Sequence, residues 1–347
     1  MNTKIDFVIT WVDGNDPKWQ EIKNRYTPSK ASDINKTRYR DWDILHYLFR
    51  GIEKFAPWVN KVYFVTFGHL PRWLNTEHPK LKIVKHEDFI PEKYLPTFSS
   101  RAIDLNLHRI PNLSENFVYF NDDMFLTREV KEEDFFKKGL PCDSVSLNLN
   151  TFVGKDQDGN NIIGSERMFM APIYNTAIIN YYFNKNEVLM NNFTKWFNFK
   201  YGLDVLKTIY LLPWPKFTGF KSYHIPYSYK KETYETLWDI EEEVLDKTCT
   251  HKFRQSGDVN HFLMSYWQIV KGEFTPRRIR TGKRFNLKSF ENGKDVNKKA
   301  YEAISNQKYK MICINDRVFR EENFKQIQKN LKDSFQKILP DKSKYEI

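Results

Sequence analysis

The sequence predicts an α/β fold of Rossmann-like type: a mainly parallel sheet flanked by helices, with a helical insertion in the C-terminal half. Three observations predict it. Strand-like and helix-like segments alternate through the first third of the chain, an order that builds a parallel sheet with covered faces. The first strand-like run, "IDFVITWV", is mostly apolar, as buried strands are. Polar residues also gather just past the ends of the expected strands, where open sheets of this kind bind ligands.

The elements follow in order. "IDFVITWV" reads as a strand and stops at Asp13-Gly14-Asn15-Asp16-Pro17, a dense turn signal. "DWDILHYLFRGIEKF" spaces Ile44, Leu45, Leu48, Ile52 and Phe55 for one helical face. "KVYFVTFG" is a second strand, "PRWLNTEH" a short helix and "LKIVKH" a third strand. "SSRAIDLNLHRI" has helical spacing, and "NFVYFNDD" is a fourth strand. Beyond Glu129 the pattern loosens, and "NTFVGKDQDGNNIIG" reads as a hairpin or surface loop. "NEVLMNNFTKWFNFKYGLDVLKTIYLL" reads as helical, and a further helix runs from Val259 to Val270. "YKMICIND" is strand-like, and the last helix places Phe324, Ile327, Leu331, Phe335 and Ile338 on one face. The expected organisation is one catalytic-size domain over residues 1–347. Residues 1–150 form the α/β core, about 180–275 the helical insertion, and 276–347 a segment returning to the core.

Bulk properties narrow the class. A 40% hydrophobic, 16% aromatic chain of 347 residues can build a real core, which argues against global disorder. No apolar run approaches the roughly 18 residues of a membrane span, and "MNTKIDFVITWVDG" lacks the features of a signal peptide. The expected location is the cytoplasm, with peripheral membrane association through basic surface patches as a further expectation. Cys142, Cys249 and Cys313 are widely spaced and odd in number, which fits neither a zinc site nor a disulfide framework. A net charge of +11 favours anionic partners, or is simply a solvated basic surface.

The chemistry is sought at the polar interruptions. Asp122-Asp123 ends a buried strand, and two adjacent carboxylates suit a hard cation such as magnesium, which bridges to substrate phosphates. A turn or helix cap explains the same pair. Asp13 ends the first strand beside Gly14, where a ligand could approach the backbone closely or where an ordinary turn is made. "IND", ending at Asp316, repeats the strand-then-acid grammar and would reach the same rim if its strand joined the same sheet. His224, in "SYHIPYSYKKE", is a candidate general base or a histidine of a structural turn. His108 and Arg109 could meet an anion or complement a helix dipole. Arg254, ahead of a helix, offers a forked anion site or a surface ion pair with Asp258.

Taken in order, these segments resemble the Stealth family. "IDFVITWVDGNDP" is similar to its first signature region. "TRYRDWDILHYLFRGIEKFAPWVNKVYFVTFG" through "NFVYFNDDMFL" is similar to the second, "HIPYSYKKETYETLWD" to the third and "YKMICINDR" to the fourth. The resemblance implies a sugar-1-phosphate transferase of capsular or exopolysaccharide synthesis. Such an enzyme takes a UDP-sugar donor, usually UDP-N-acetylhexosamine, and a glycan hydroxyl as acceptor, releases UMP and depends on a divalent metal, Mg2+ or Mn2+. It further implies catalytic roles for His224, for Arg254 in "KFRQSGD" and for Asp123. Asp122, Asp123 and Asp316 are the expected metal ligands, and Asp13, Gly14, His108, Arg109, Arg40 and Lys230 the expected substrate contacts. Ser100-Arg101, Asp104 and Asn106 depart from the family pattern, which bears on the sugars rather than on the reaction class. The rival readings are a conventional metal-dependent glycosyltransferase releasing UDP and a basic RNA- or polysaccharide-binding module. No RNA-binding motif is visible, and nucleic acid is not an expected partner.

Overall fold

A computed structural model describes residues 4–27, 40–150 and 170–347. Most of the predicted surface loop, from Thr151 onward, lies outside the described residues. The α/β class is observed. β1 (Ile5–Thr10), β2 (Val62–Thr66), β3 (Leu81–Lys85) and β4 (Asn116–Asn121) are parallel neighbours in the order β3-β2-β1-β4. Each carries the apolar residues the sequence displays. β1, β2 and β4 are almost wholly buried, whereas edge strand β3 turns Lys82 and Lys85 to solvent, a charge pattern that discourages edge pairing.

The connecting helices are α1 (Pro17–Tyr26), α2 (Leu45–Phe55) and α3 (Ser100–Leu105). Asp16 caps α1 by accepting from the Trp19 N–H at 2.6 Å, and Pro17 occupies the first turn, where its missing donor costs nothing. α2 buries the predicted apolar face. Gly51 lets it approach the next sheet, because an added Cβ would lie 2.7 Å from the Leu126 carbonyl oxygen. "PRWLNTEH" is not a helix. Its backbone is engaged by the C-terminal tail: Asn75 N–H donates to the Tyr345 carbonyl at 2.8 Å, and Leu74 bridges to Glu346. A tertiary partner overrode local propensity there.

After β4 the chain changes sheet. β5 (Met124–Leu126) leaves the first sheet two residues after β4 ends, and β6 (Phe136–Lys137) and β7 (Leu140–Asp143) form a small ladder. The region expected to be a helical insertion holds α4 (Ala171–Tyr182), α5 (Lys185–Asn191), α6 (Phe193–Trp196) and α7 (Asp204–Tyr210). It also holds a strand the periodicity does not reveal, β8 (Tyr227–Lys230), which completes the first sheet antiparallel to β4. α8 (Lys231–Ile240), α9 (Glu242–Thr250) and α10 (Phe262–Val270) follow, then β9 (Thr275–Pro276), β10 (Gly282–Lys288), α11 (Lys298–Ser305), β11 (Met311–Arg317) and α12 (Glu321–Ile338). β11 does not join the first sheet. It lies between β10 and β5 in a three-stranded sheet of its own.

The last segment closes over α2. Phe335 of α12 stacks on Tyr47 and meets Phe125, and the tail inserts Glu346 against Arg50. That pair is bidentate and buried, with Nε–Oε1 and Nη2–Oε2 both 2.8 Å. Burial pushes the Glu346 carboxyl up, but the Arg50 hydrogen bonds and the Ser343 N–H outweigh it and hold the group below its ordinary value. A depressed carboxylate stabilises the fold at pH values above its unfolded pKa, about 4.3, and loses that contribution as pH falls through the folded value. Glu346→Gln, which strands a buried guanidinium, should cost about 3 kcal/mol in denaturant unfolding at pH 7. The difference from the parent protein should shrink below about pH 4.

Candidate active site

The junction between the two sheets creates the site. β4 ends at Asn121 in one sheet and β5 begins at Met124 in the other, so Asp122 and Asp123 sit in the crossing, outside either ladder. Asp123 is pinned from the β11 side: Ile314 N–H donates to its carbonyl at 2.8 Å, and the Cys313 thiol donates to its Oδ2 at 3.2 Å. Burial, and then the Asp123 charge, push the Cys313 thiol well above its usual range, so it stays a donor. Asp123 Oδ1 is buried and accepts no hydrogen bond among the described residues. Asp122 is exposed. Surrounding protein, then the charges of Asp123 and Asp41, push its carboxyl up to about 7.

β8 delivers His224. Because β8 runs antiparallel to β4, its start lies beside the end of β4, and His224, three residues ahead of Tyr227, arrives at the acidic pair. Its Nε2 stands 3.9 Å from Asp123 Oδ2, beyond hydrogen-bonding distance. The residue adopts a left-handed backbone (φ 47°), with its N–H donated to the Tyr227 hydroxyl at 3.0 Å. A non-glycine residue held there is strained, and such strain concentrates at working sites. Burial lowers the imidazole pKa; Asp123 pulls the other way and Arg284 adds to the lowering.

Asp13 joins the rim through register, since Thr10 of β1 pairs with Asn121. Its backbone N–H donates to His69 Nε2 at 2.7 Å, and its Oδ1 accepts from Asn15 N–H at 2.8 Å across Gly14. Two rim residues escaped the sequence reading. His69 follows Gly68, which takes a φ of 125° at the turn out of β2. Asp41 precedes α2, and its carboxyl is raised by burial and by the charges of Asp43 and Asp13. Asp13, Asp41, Asp122 and Asp123 thus repel one another in turn. Hard carboxylate oxygens, one of them orphaned, form a donor set that suits magnesium or manganese.

Arg254 approaches by another route. Its Nη2 donates to Ser100 Oγ at 2.5 Å at the start of α3. Its charge and that of His224 both disfavour protonation of buried His261, whose imidazole burial already holds well below its usual value. Asp104, pushed up to about 7 by burial against the opposing pull of Tyr119, Arg254 and Arg101, bonds to the Tyr119 hydroxyl at 2.7 Å. The same hydroxyl reaches Asn121 Oδ1 at 2.5 Å, so a polar chain runs from the Arg254 side to the β4 end. His261 packs edge-on to Tyr119 and holds the Tyr229 hydroxyl at 2.8 Å. Asp104 and His261 are buried behind the site; Asp104 is marked in the sequence only as a departure from the family pattern, and His261, at the start of α10, carries no sequence signal of its own.

The ion pair expected between Arg254 and Asp258 is not formed. Asp258 is fully buried and accepts from Arg101 at 3.1 Å, His251 at 2.7 Å and Gln255 N–H at 2.6 Å. Lys252 of the same stretch donates to the Tyr94 and Leu95 carbonyls. The spacing in "KFRQSGD" therefore shapes a loop whose Arg254 faces inward.

Asp316 stays beside the junction, two residues beyond Ile314, whose N–H donates to the Asp123 carbonyl. Its carboxylate is already engaged by the Val318 N–H at 2.8 Å, Trp42 Nε1 at 3.2 Å and Arg40 at 3.6 Å. Arg40 also donates to Val318 and Glu321 and lies over Phe324, which makes it a tie between chain ends. Lys230 pairs with Asn116 at the opposite end of β4, about 17 Å along the strand at its usual rise. His108, whose pKa burial and Arg109 lower to about 3, stacks on Tyr234, and Arg109 lies over Trp238. All three belong to the far rim of the sheet.

With this geometry in place, comparison with known proteins becomes informative. Residues 3–31 match Stealth protein CR1, conserved region 1, and residues 38–142 match Stealth protein CR2, conserved region 2. A capsular polysaccharide phosphotransferase WcwK of Streptococcus pneumoniae is 42% identical over 100% of both chains. This chain belongs to the Stealth family. The exopolysaccharide phosphotransferase cps2G of Lactiplantibacillus plantarum is 39% identical over 99% of this chain and 96% of its own. The receptor polysaccharide phosphotransferase WefC of Streptococcus oralis is 38% identical over 99% of each. These Stealth relatives support a phosphotransferase role in polysaccharide synthesis. A solved galactosyltransferase, LgtC, with donor and acceptor sugar analogues, covers 96% of each chain at 8% identity and a TM-score of 0.39, a likeness too weak to carry an argument. Among the described residues no helix is long and apolar enough to cross a membrane.

The buried Asp258 hub makes a structural prediction. Asp258→Ala should lower stability by about 3 kcal/mol in denaturant titration, since it removes the buried carboxylate that faces the Arg101 guanidinium. It should also disorder the loop that positions Arg254.

Proposed function

We propose that this site transfers a sugar-1-phosphate from a UDP-sugar to a glycan hydroxyl, forming a phosphodiester and releasing UMP. The observation that carries the reading is the meeting of His224 and Asp123 at 3.9 Å, about a hundred residues apart in the chain, within an acidic cluster where Asp123 Oδ1 accepts no hydrogen bond among the described residues. Acidic residues without a cation would repel a diphosphate; with one they bind it.

Asp122 and Asp123 would hold the magnesium or manganese ion. When bound, such an ion offsets negative charge on the diphosphate and on the departing UMP. The remaining work falls to the chain's own groups. His224, kept neutral at pH 7 by burial, takes the proton of the acceptor hydroxyl at Nε2. The oxygen attacks the phosphorus that bears the sugar, and the bond from that phosphorus to the UMP oxygen breaks. Asp123 favours the imidazolium that results. Arg254, steadied by Ser100, would clamp the oxygens of the transferring phosphate. Asp13 and the Gly14 backbone would seat the nucleotide at the end of β1. The anomeric carbon takes no part, so its configuration is retained.

His224→Ala should lower turnover by about 10²- to 10⁴-fold while leaving donor affinity unchanged; loss of binding alone would contradict the base role. The proton-accepting form is the neutral one, so kcat should fall as pH drops, with a midpoint below the ordinary histidine value of 6.5. Cation binding should weaken as Asp122 protonates: manganese affinity by calorimetry should be flat above about pH 7 and decline below it. Phosphorus NMR of the product should show a diester with UMP in solution. UDP and a phosphate-free glycan would instead establish ordinary glycosyl transfer.

A further inference from the structure

α7 is folded inside out. Its inward face carries Asp204 and Thr208, both buried: Thr208 Oγ1 accepts from the Leu147 N–H, and Asp204 Oδ2 accepts from Lys221 Nζ at 2.6 Å and the Tyr223 hydroxyl at 2.9 Å. Its outward face carries Leu203, Leu206 and Tyr210, which are 81%, 59% and 73% exposed. At about 100° per residue these three fall on one stripe, opposite Asp204 and Thr208. Phe199 and Trp214 extend the apolar face before and after the helix, at 80% and 41% exposure. Most of the large hydrophobic side chains exposed among the described residues in fact fall between Tyr174 and Trp214. The turn after α7 is held by Lys185, whose buried ammonium donates to the Leu211, Leu212 and Trp214 carbonyls. The apolar display is therefore a built feature, since three polar ties orient it outward.

We propose that this face docks on an anionic lipid bilayer. The aromatic residues Phe199, Tyr210 and Trp214 each have a lysine close by in sequence: Lys200, Lys207 and Lys216. Lys200 Nζ donates to the Pro276 carbonyl at 2.8 Å, whereas Lys207, 3.4 Å from Asp204 Oδ1, and Lys216, 3.5 Å from the Asn180 carbonyl, keep exposed side chains. Apolar rings beside exposed lysines are the composition of a helix that lies in the headgroup boundary, where the ammonium groups would exchange these weak surface contacts for phosphate. The net charge of +11 has the same sign. A second copy is disfavoured as the occupant, because a two-fold contact would set these lysines against their own images. The inner anchor of α7 also matters for the site. Asp204 holds Tyr223, the residue preceding His224, so the docking face and the proposed base share one support. A glycan presented at a membrane surface would meet His224 from a fixed direction.

The test is co-flotation of the full chain with phosphatidylcholine vesicles, with and without phosphatidylglycerol. Binding to the anionic vesicles is expected, and it should weaken with salt. The exposed triple substitution Leu203→Ser, Leu206→Ser, Tyr210→Ser should lower it at least about tenfold. Absence of binding by the parent protein, or equal binding by the variant, overturns the proposal. So does a parent dimer in sedimentation that the variant dissociates, which would name a second copy as the occupant. Brominated anionic lipid adds a readout that needs no folded triple variant. It should quench part of the tryptophan emission, and Trp214→Phe should remove that part; unquenched emission refutes docking. None of these measurements depends on turnover, so they stand apart from the phosphotransferase reading.

Discussion

The structure turns on where two sheets meet. A chain that ends one strand at Asn121 and starts another, in a different sheet, at Met124 has two residues whose side chains neither ladder can use. Both are aspartates. Buried acids are tolerable when donors surround them, and the same fold shows what that looks like. Asp6, fully buried at the start of β1, accepts from Asn60, Lys61 N–H and Ser114 N–H and ties three elements together. Asp123 has a thiol on one oxygen and nothing on the other among the described residues. The two ends of the sheet differ in this respect: Asp6 is satisfied at one, and Asp123 keeps one oxygen unsatisfied among the described residues at the other.

The rest of the site is built around that junction. The antiparallel edge strand carries His224 to the end of β4. The second sheet backs Asp123, α2 supports that sheet through a glycine-sized gap, and the C-terminal helix and tail lock α2 through Arg50 and Glu346. The loop around Asp258 performs the same service for Arg254. Arg101, which departs from the family pattern, is part of that hub through Asp258 and the Gln255 carbonyl.

Much of the α/β core was legible because its strands are apolar runs and its helices keep their spacing. Four parallel strands, α2 and α3 are readable, as is the final amphipathic helix; α1 is not, since "PKWQEIKNRY" carries few apolar residues to mark a face. "PRWLNTEH" was misread because its hydrogen bonds go to a tail some 270 residues away. β8 was missed because its alternation, Tyr227-Ser228-Tyr229-Lys230, is only four residues long. It exists because β4 offered an open edge.

Sequence alone settled the kinds of groups available: paired aspartates after an apolar strand, a histidine, an arginine in a polar loop, and an order of segments shared with the Stealth family. It could not settle which of them meet. Asp316 and Asp122 end similar-looking strands, yet one is engaged by Arg40, Trp42 and the Val318 N–H and the other is left exposed, a difference set by partners remote in the chain. Nor could it show that α7 points its leucines outward, since periodicity marks an apolar stripe but not the side on which the core lies. Local pattern reports what a segment can bury. Long-range pairing decides against what, and the chemistry of this protein lives in that second decision.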